Sequence, residues 1–132
     1  MKGFFIFFLL LPVITIAQTK ADYQKAMGKF VKFYNKKQGD SIVNLFDLKD
    51  RKSIEWMWTP KEINKLHEKY GLIKSFKYLM TAPDGNGGEA FEMMFSKIEK
   101  NVSNIILDKQ KYIETLILIT SEPKDKKPQK VK

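Results

Sequence analysis

The chain has 132 residues, a net charge of +9 and no cysteine. That length suits one domain with a single hydrophobic core, and the lack of cysteine excludes disulfides, thiolate metal sites, a thiol nucleophile and a lipid-anchored cysteine. The positive excess favours anionic surfaces or ligands, but no basic–aromatic motif accompanies it, so nucleic-acid binding is not expected.

Met1-Lys2-Gly3 precedes an apolar stretch from Phe4 to Ile14. A stable membrane-crossing helix needs about 20 apolar residues, and this stretch falls short. One positive charge, a short apolar run and then small residues make a secretory signal pattern. Pro12 breaks the helix, and Thr15-Ile16-Ala17 places small residues where the processing enzyme reads them, so cleavage is predicted between Ala17 and Gln18. Residues 1–17 are thus expected to be removed, leaving the protein periplasmic or secreted. No later segment is long enough to span a membrane.

The first helix is predicted from Ala21 to Gln38. Tyr23, Ala26, Met27, Phe30, Phe33 and Tyr34 recur every three or four residues and build one apolar face. Lys25, Lys29, Lys32 and Lys36 form a ridge on the other side. Gly39 is expected to end this helix in a left-handed conformation, and Asp40 to cap a short helix, Ser41–Asp47. Ile54, Trp56 and Trp58 alternate as in a short strand. Thr59-Pro60-Lys61-Glu62 is the strongest local signal: a capping threonine, proline at the first helical position and a glutamate that can complete a capping box. The helix it starts runs to Tyr70, and Gly71 stops it.

From Leu72 the period changes to two. Phe76, Tyr78 and Met80 form the apolar face of one strand; Phe91, Met93 and Phe95 form that of a second. Pro83–Gly88 is a turn between them. Val102–Asp108 and Tyr112–Thr120 are the third and fourth strands. Leu116-Ile117-Leu118-Ile119 is apolar on both faces, which predicts a central or covered strand. Ser121–Lys132, with five lysines against Glu122 and Asp125, is predicted to be a disordered tail. The expected fold is therefore α+β, with N-terminal helices packed on a curved four-stranded antiparallel sheet over residues 18–120.

Several segments carry a resemblance. They are Phe30-Val31-Lys32-Phe33-Tyr34-Asn35, Gln38-Gly39-Asp40-Ser41-Ile42-Val43-Asn44-Leu45-Phe46, Thr59-Pro60-Lys61-Glu62 with Leu66, and Gly71-Leu72-Ile73. Together they resemble the nuclear-transport-factor-2-like superfamily, and more narrowly its small exported bacterial domains. The resemblance implies a cone-shaped α+β fold and a homodimer formed through the sheet. Enzymes of that superfamily carry acidic or histidine groups inside the cone, and this sequence places none there.

Few residues of the chain form a recognisable chemical motif. His67 is the only histidine and lies at the margin of its helix's apolar face. With one histidine and no cysteine, a metal site is not expected, and no cofactor is implied. Asp84-Gly85-Asn86 begins like a calcium loop, but Glu89 and Phe95 stand where glycine and glutamate belong. Gly85-Asn86-Gly87-Gly88 lacks the following Lys-Ser/Thr of a phosphate loop. No serine sits in a nucleophile elbow. Asn101-Val102-Ser103 is a glycosylation sequon. The remaining candidate is an aromatic cluster, Trp56, Trp58, Tyr78, Met80, Met93 and Phe95, which would line the cone as an apolar-ligand pocket. The expected function is a non-catalytic exported domain binding a small apolar ligand or a protein partner. The alternatives are an isomerase or hydrolase using a pocket carboxylate such as Asp47 or Glu92, and attachment to an anionic surface through the lysine ridge and tail.

Overall fold

The computed structural model describes residues 19–81, 88–98 and 101–119. Helices come first: α1 (Lys20–Asn35), α2 (Gly39–Val43), α3 (Leu48–Ile54), a single 3-10 turn (Glu55–Trp58) and α4 (Pro60–Tyr70). Four strands follow: β1 (Ile73–Thr81), β2 (Glu89–Phe95), β3 (Asn101–Leu107) and β4 (Ile113–Ile119). They form one antiparallel sheet in the order β1-β2-β3-β4, an open meander with helices on one face. This is the α+β arrangement that the sequence predicts. Among the described residues no helix is long and apolar enough to cross a membrane.

Helix α1 starts at a complete capping box. Thr19 Oγ1 accepts from the Asp22 backbone N–H, and the Asp22 carboxylate accepts from the Thr19 N–H at 2.9 Å. Its buried stripe is Tyr23, Met27, Phe30 and Tyr34, at the predicted helical spacing. That stripe meets Phe91, Met93, Phe95, Ile105, Leu107 and Ile113 from the sheet in one continuous core. The Tyr34 ring stands edge-on to Phe95, with centroids 6.1 Å apart. Ser103, fully buried in the sheet, donates to the Met93 sulfur.

The end of α1 ties the helices to the sheet. The Tyr34 hydroxyl donates to the Gly71 carbonyl at 3.0 Å. The Asn35 amide donates to the Ile73 carbonyl at 2.9 Å, and its carbonyl accepts from the Ile73 N–H at 2.8 Å. His67 stacks on the Tyr34 ring, with centroids 4.5 Å apart, and its Nε2 donates to the Tyr34 carbonyl at 2.7 Å. Gly71 has φ 78, and a side chain there would collide with Ser96 Oγ, so both backbone freedom and space require glycine.

Several predicted details change. The left-handed residue after α1 is Lys37 (φ 55), not Gly39. Gly39 instead opens α2 and is needed because a Cβ would run into the Trp58 carbonyl. The alternating Ile54-Trp56-Trp58 segment is helical. On a turn of about three residues, positions two apart point in different directions, so Trp58 goes inward and Trp56 outward. At the start of α4, Thr59 Oγ1 accepts from the Glu62 N–H as predicted, but the Glu62 carboxylate bonds Lys65 Nζ at 2.8 Å. Strand β4 is last in the sheet, not central. Its Leu116 and Leu118 are half-buried, while Ile117 on the other face is 47% exposed. Asn101 of the glycosylation sequon is buried in β3. Residues 82–87, the predicted turn, and the predicted leader and tail lie outside the described residues.

Gly28 lies inside α1, and a methyl there would meet only Phe76 Cζ at 3.6 Å, an ordinary contact. Gly28→Ala should therefore raise the unfolding free energy read from urea melts by about 0.5–1 kcal/mol, because alanine loses less backbone entropy in a helix. Burial pushes the Tyr34 hydroxyl up from 10.0 to about 12. A group whose folded-state value is raised stabilises the fold fully below its unfolded value and loses that effect as pH rises through the folded value. Urea melts should show stability falling between pH 10 and about 12. Tyr34→Phe should be weaker at neutral pH by about 1 kcal/mol, for the lost hydrogen bond, and should lose part of the alkaline slope.

Candidate functional site

The six residues of the predicted pocket do not converge. Met93 and Phe95 are core residues, 0% and 5% exposed. Tyr78 lies beside Phe91 in the same face of the sheet, and its hydroxyl donates to Glu89 Oε2 at 2.8 Å. Met80 is on the opposite face. A strict period of two would keep Phe76, Tyr78 and Met80 together, but the β1–β2 register slips between Tyr78 and Met80. The extra residue, Leu79, turns Met80 over to pair with Ala90, next to Asn104 and Ile117. The outer face of the sheet thus carries exposed Met80, Met94, Val102 and Ile117.

Trp56 and Trp58 do share a site, at the other end of the helical layer. A groove of about 350 Å³ is walled by Trp56, Met57 and Trp58 from the 3-10 turn, Leu66 and Tyr70 from α4, and Leu118 from β4; Glu62, Lys65 and Lys69 complete it. Its walls are mainly hydrocarbon and aromatic ring, and its size is at the small end of small-molecule sites, about 300–1,000 Å³. Trp58 anchors it: its indole stands edge-on to Phe30 in the core, with centroids 5.7 Å apart. The Trp58 Nε1–H is buried and has no hydrogen-bond partner among the described residues. Such an orphan donor costs about 1–3 kcal/mol unless something accepts from it. Trp56, by contrast, is 64% exposed.

The local sequence explains this geometry. Asp47 caps α3, its carboxylate accepting from the Lys49 N–H. The helix tightens into the 3-10 turn, and Thr59-Pro60 then forces a new helix start. Gly39 lets α2 lie directly against the Trp58 backbone, which sets how far the turn stands from the core. Polar groups beside the groove already have partners: Lys65 pairs with Glu62, and Lys69 Nζ lies 5.1 Å from the centre of the Tyr70 ring.

The carboxylates considered for catalysis lie elsewhere. Asp47 is the cap of α3, and Glu92 sits on β2 in the row of Lys77 and Val102, facing away from the helices. His67 is engaged with Tyr34. Among the described residues, no group of three His, Asp or Glu side chains could hold a metal ion. Leu66, Tyr70 and Leu118 read as core positions in the sequence; only the fold brings them beside the tryptophans. The chain matches no protein-family model, no curated protein and no solved structure, so its site is argued from its own residues.

Proposed function

We propose that the chain is an exported, non-catalytic domain that holds a small apolar molecule in the groove between the 3-10 turn, α4 and β4. The observation that carries this reading is Trp56, 64% exposed at the wall of a groove whose other wall residues include Met57, Trp58, Leu66, Tyr70 and Leu118. Covering apolar surface there is favourable by about 25 cal/mol per Å². An apolar ring or chain of modest length fits that surface. Asp47 and Glu92 have structural placements and line no part of this groove.

Tryptophan emission reports on the site directly, because both tryptophans of the chain belong to it. Titration with 1-naphthol and with decanoate should give a saturable change in emission. Trp56→Ala should weaken it strongly while shifting stability by less than about 0.5 kcal/mol, as expected for an exposed side chain. A linear, unsaturable response, or one retained in Trp56→Ala, would remove the ligand reading. Export is checked separately. Expressed in a bacterium, the chain should be recovered from the periplasm or medium with Gln18 at its N-terminus, as read by mass spectrometry. A membrane-bound species still beginning at Met1 would overturn that part alone.

A further inference from the structure

A second cleft, of about 360 Å³, lies between α1, the chain after α2 and the β3–β4 turn. It shares no lining residue with the aromatic groove, and its chemistry is different. Lys25 and Lys29 enter it from successive turns of α1, so their side chains are neighbours. Among the described residues neither has an ion-pair partner. Lys111 enters from the turn, with its Nζ 3.2 Å from Asp22 Oδ1. Arg51 stands close by, donating to the Asn44 and Phe46 carbonyls, with its guanidinium 5.9 Å from the centre of the Tyr112 ring. Asp22 is the one carboxylate lining the cleft, and the Thr19 backbone N–H holds it below the usual carboxylate range. The cleft therefore keeps a net positive charge.

The turn that carries Lys111 is held in place. Asp108 Oδ1 accepts from the Gln110 N–H at 2.8 Å and from the Tyr112 N–H at 2.9 Å, and the Asp108 carbonyl accepts from the Lys111 N–H. Lys111 itself has φ 68, a conformation in which glycine or asparagine would be at ease and lysine is not. A lysine at such a position, lining a cleft in which Lys25 and Lys29 have no ion-pair partner among the described residues, makes the cleft suited to an anion. The rest of the lining says which kind. Tyr112 is 41% exposed, and Asn44 and Gln110 offer amide groups that both donate and accept. An aromatic face beside amides suits a polyhydroxylated ring, and the lysines suit an acid group on it.

The geometry points to an acidic-sugar site: a monosaccharide-sized ligand, or the end unit of a glycan, whose carboxylate or phosphate meets Lys25, Lys29 and Lys111 while its hydroxyls meet Asn44 and Gln110 and its ring lies on Tyr112. The test is a titration of the isotope-labelled protein with glucuronate, galacturonate and glucose 6-phosphate, followed by amide chemical shifts. Glucose, inorganic phosphate and phosphatidylglycerol vesicles are the comparisons. At least one of the acids should shift the amides of Lys25, Lys29 and Gln110 to Tyr112 saturably. Response to the uronates assigns a carboxylate, and response to glucose 6-phosphate a phosphate. The paired exchange Lys25→Gln/Lys29→Gln should raise Kd at least about fivefold, the equivalent of ~1 kcal/mol. Lys111→Gly should also weaken binding but leave the melting temperature unchanged or higher, because glycine relieves the backbone. Several results would overturn the proposal: no shifts with any of the acids, equal binding of glucose or inorganic phosphate, full binding by the lysine variants, or association with the vesicles alone.

Discussion

The contact on which the rest of the molecule depends is the one between Tyr34-Asn35 and the chain from Gly71 to Ile73. Strand β1 is at one edge of the sheet, and its first residue is buried. An edge residue in that position has an N–H and a carbonyl that no neighbouring strand can satisfy. Asn35 gives both partners from one side chain, as a strand would. Tyr34 fixes the residue that reverses the chain, and His67 closes the loop from α4 back to α1. Helices α1 and α4 and the start of strand β1 are thereby locked at one point. The single histidine is a structural pin in this arrangement.

With that point fixed, the helical layer has two margins where the packing is incomplete. At one, the 3-10 turn turns a tryptophan outward over an apolar hollow. At the other, α1 brings lysines toward the β3–β4 turn. The two margins differ in kind: the first is mainly hydrocarbon and aromatic ring, the second is cationic and carries amide groups.

The sequence carried the elements well and the site poorly, for a physical reason. The spacing of Tyr23, Met27, Phe30 and Tyr34, and the Thr59-Pro60 start of α4, are local signals, and α1 and α4 form where they indicate. The alternation in β2 likewise survives, with Phe91, Met93 and Phe95 all buried. Met80 left its predicted face because a bulge is decided by cross-strand register, which alternation along one strand does not encode. Trp56 and Trp58 imitate a strand in spacing, but the competing cap and proline downstream favour a tight turn. The double-sided apolar run in β4 reads as a covered strand, yet its inner face alone serves the core and its outer face is open. The lysine ridge of α1 was visible as a pattern. Its meeting with Lys111 was not, since that depends on how the far end of the chain is folded back.

Gly39 carries a consequence beyond its own position. Its missing side chain is the gap into which the Trp58 backbone fits, so the aperture of the aromatic groove is set from behind, by a residue outside its lining. Position 39 works as a shim. Related sequences with bulkier residues there would have to hold the tryptophan turn farther out, and so would present a hollow of another width with the same walls. The width of the hollow can therefore change without any alteration among the residues that line it.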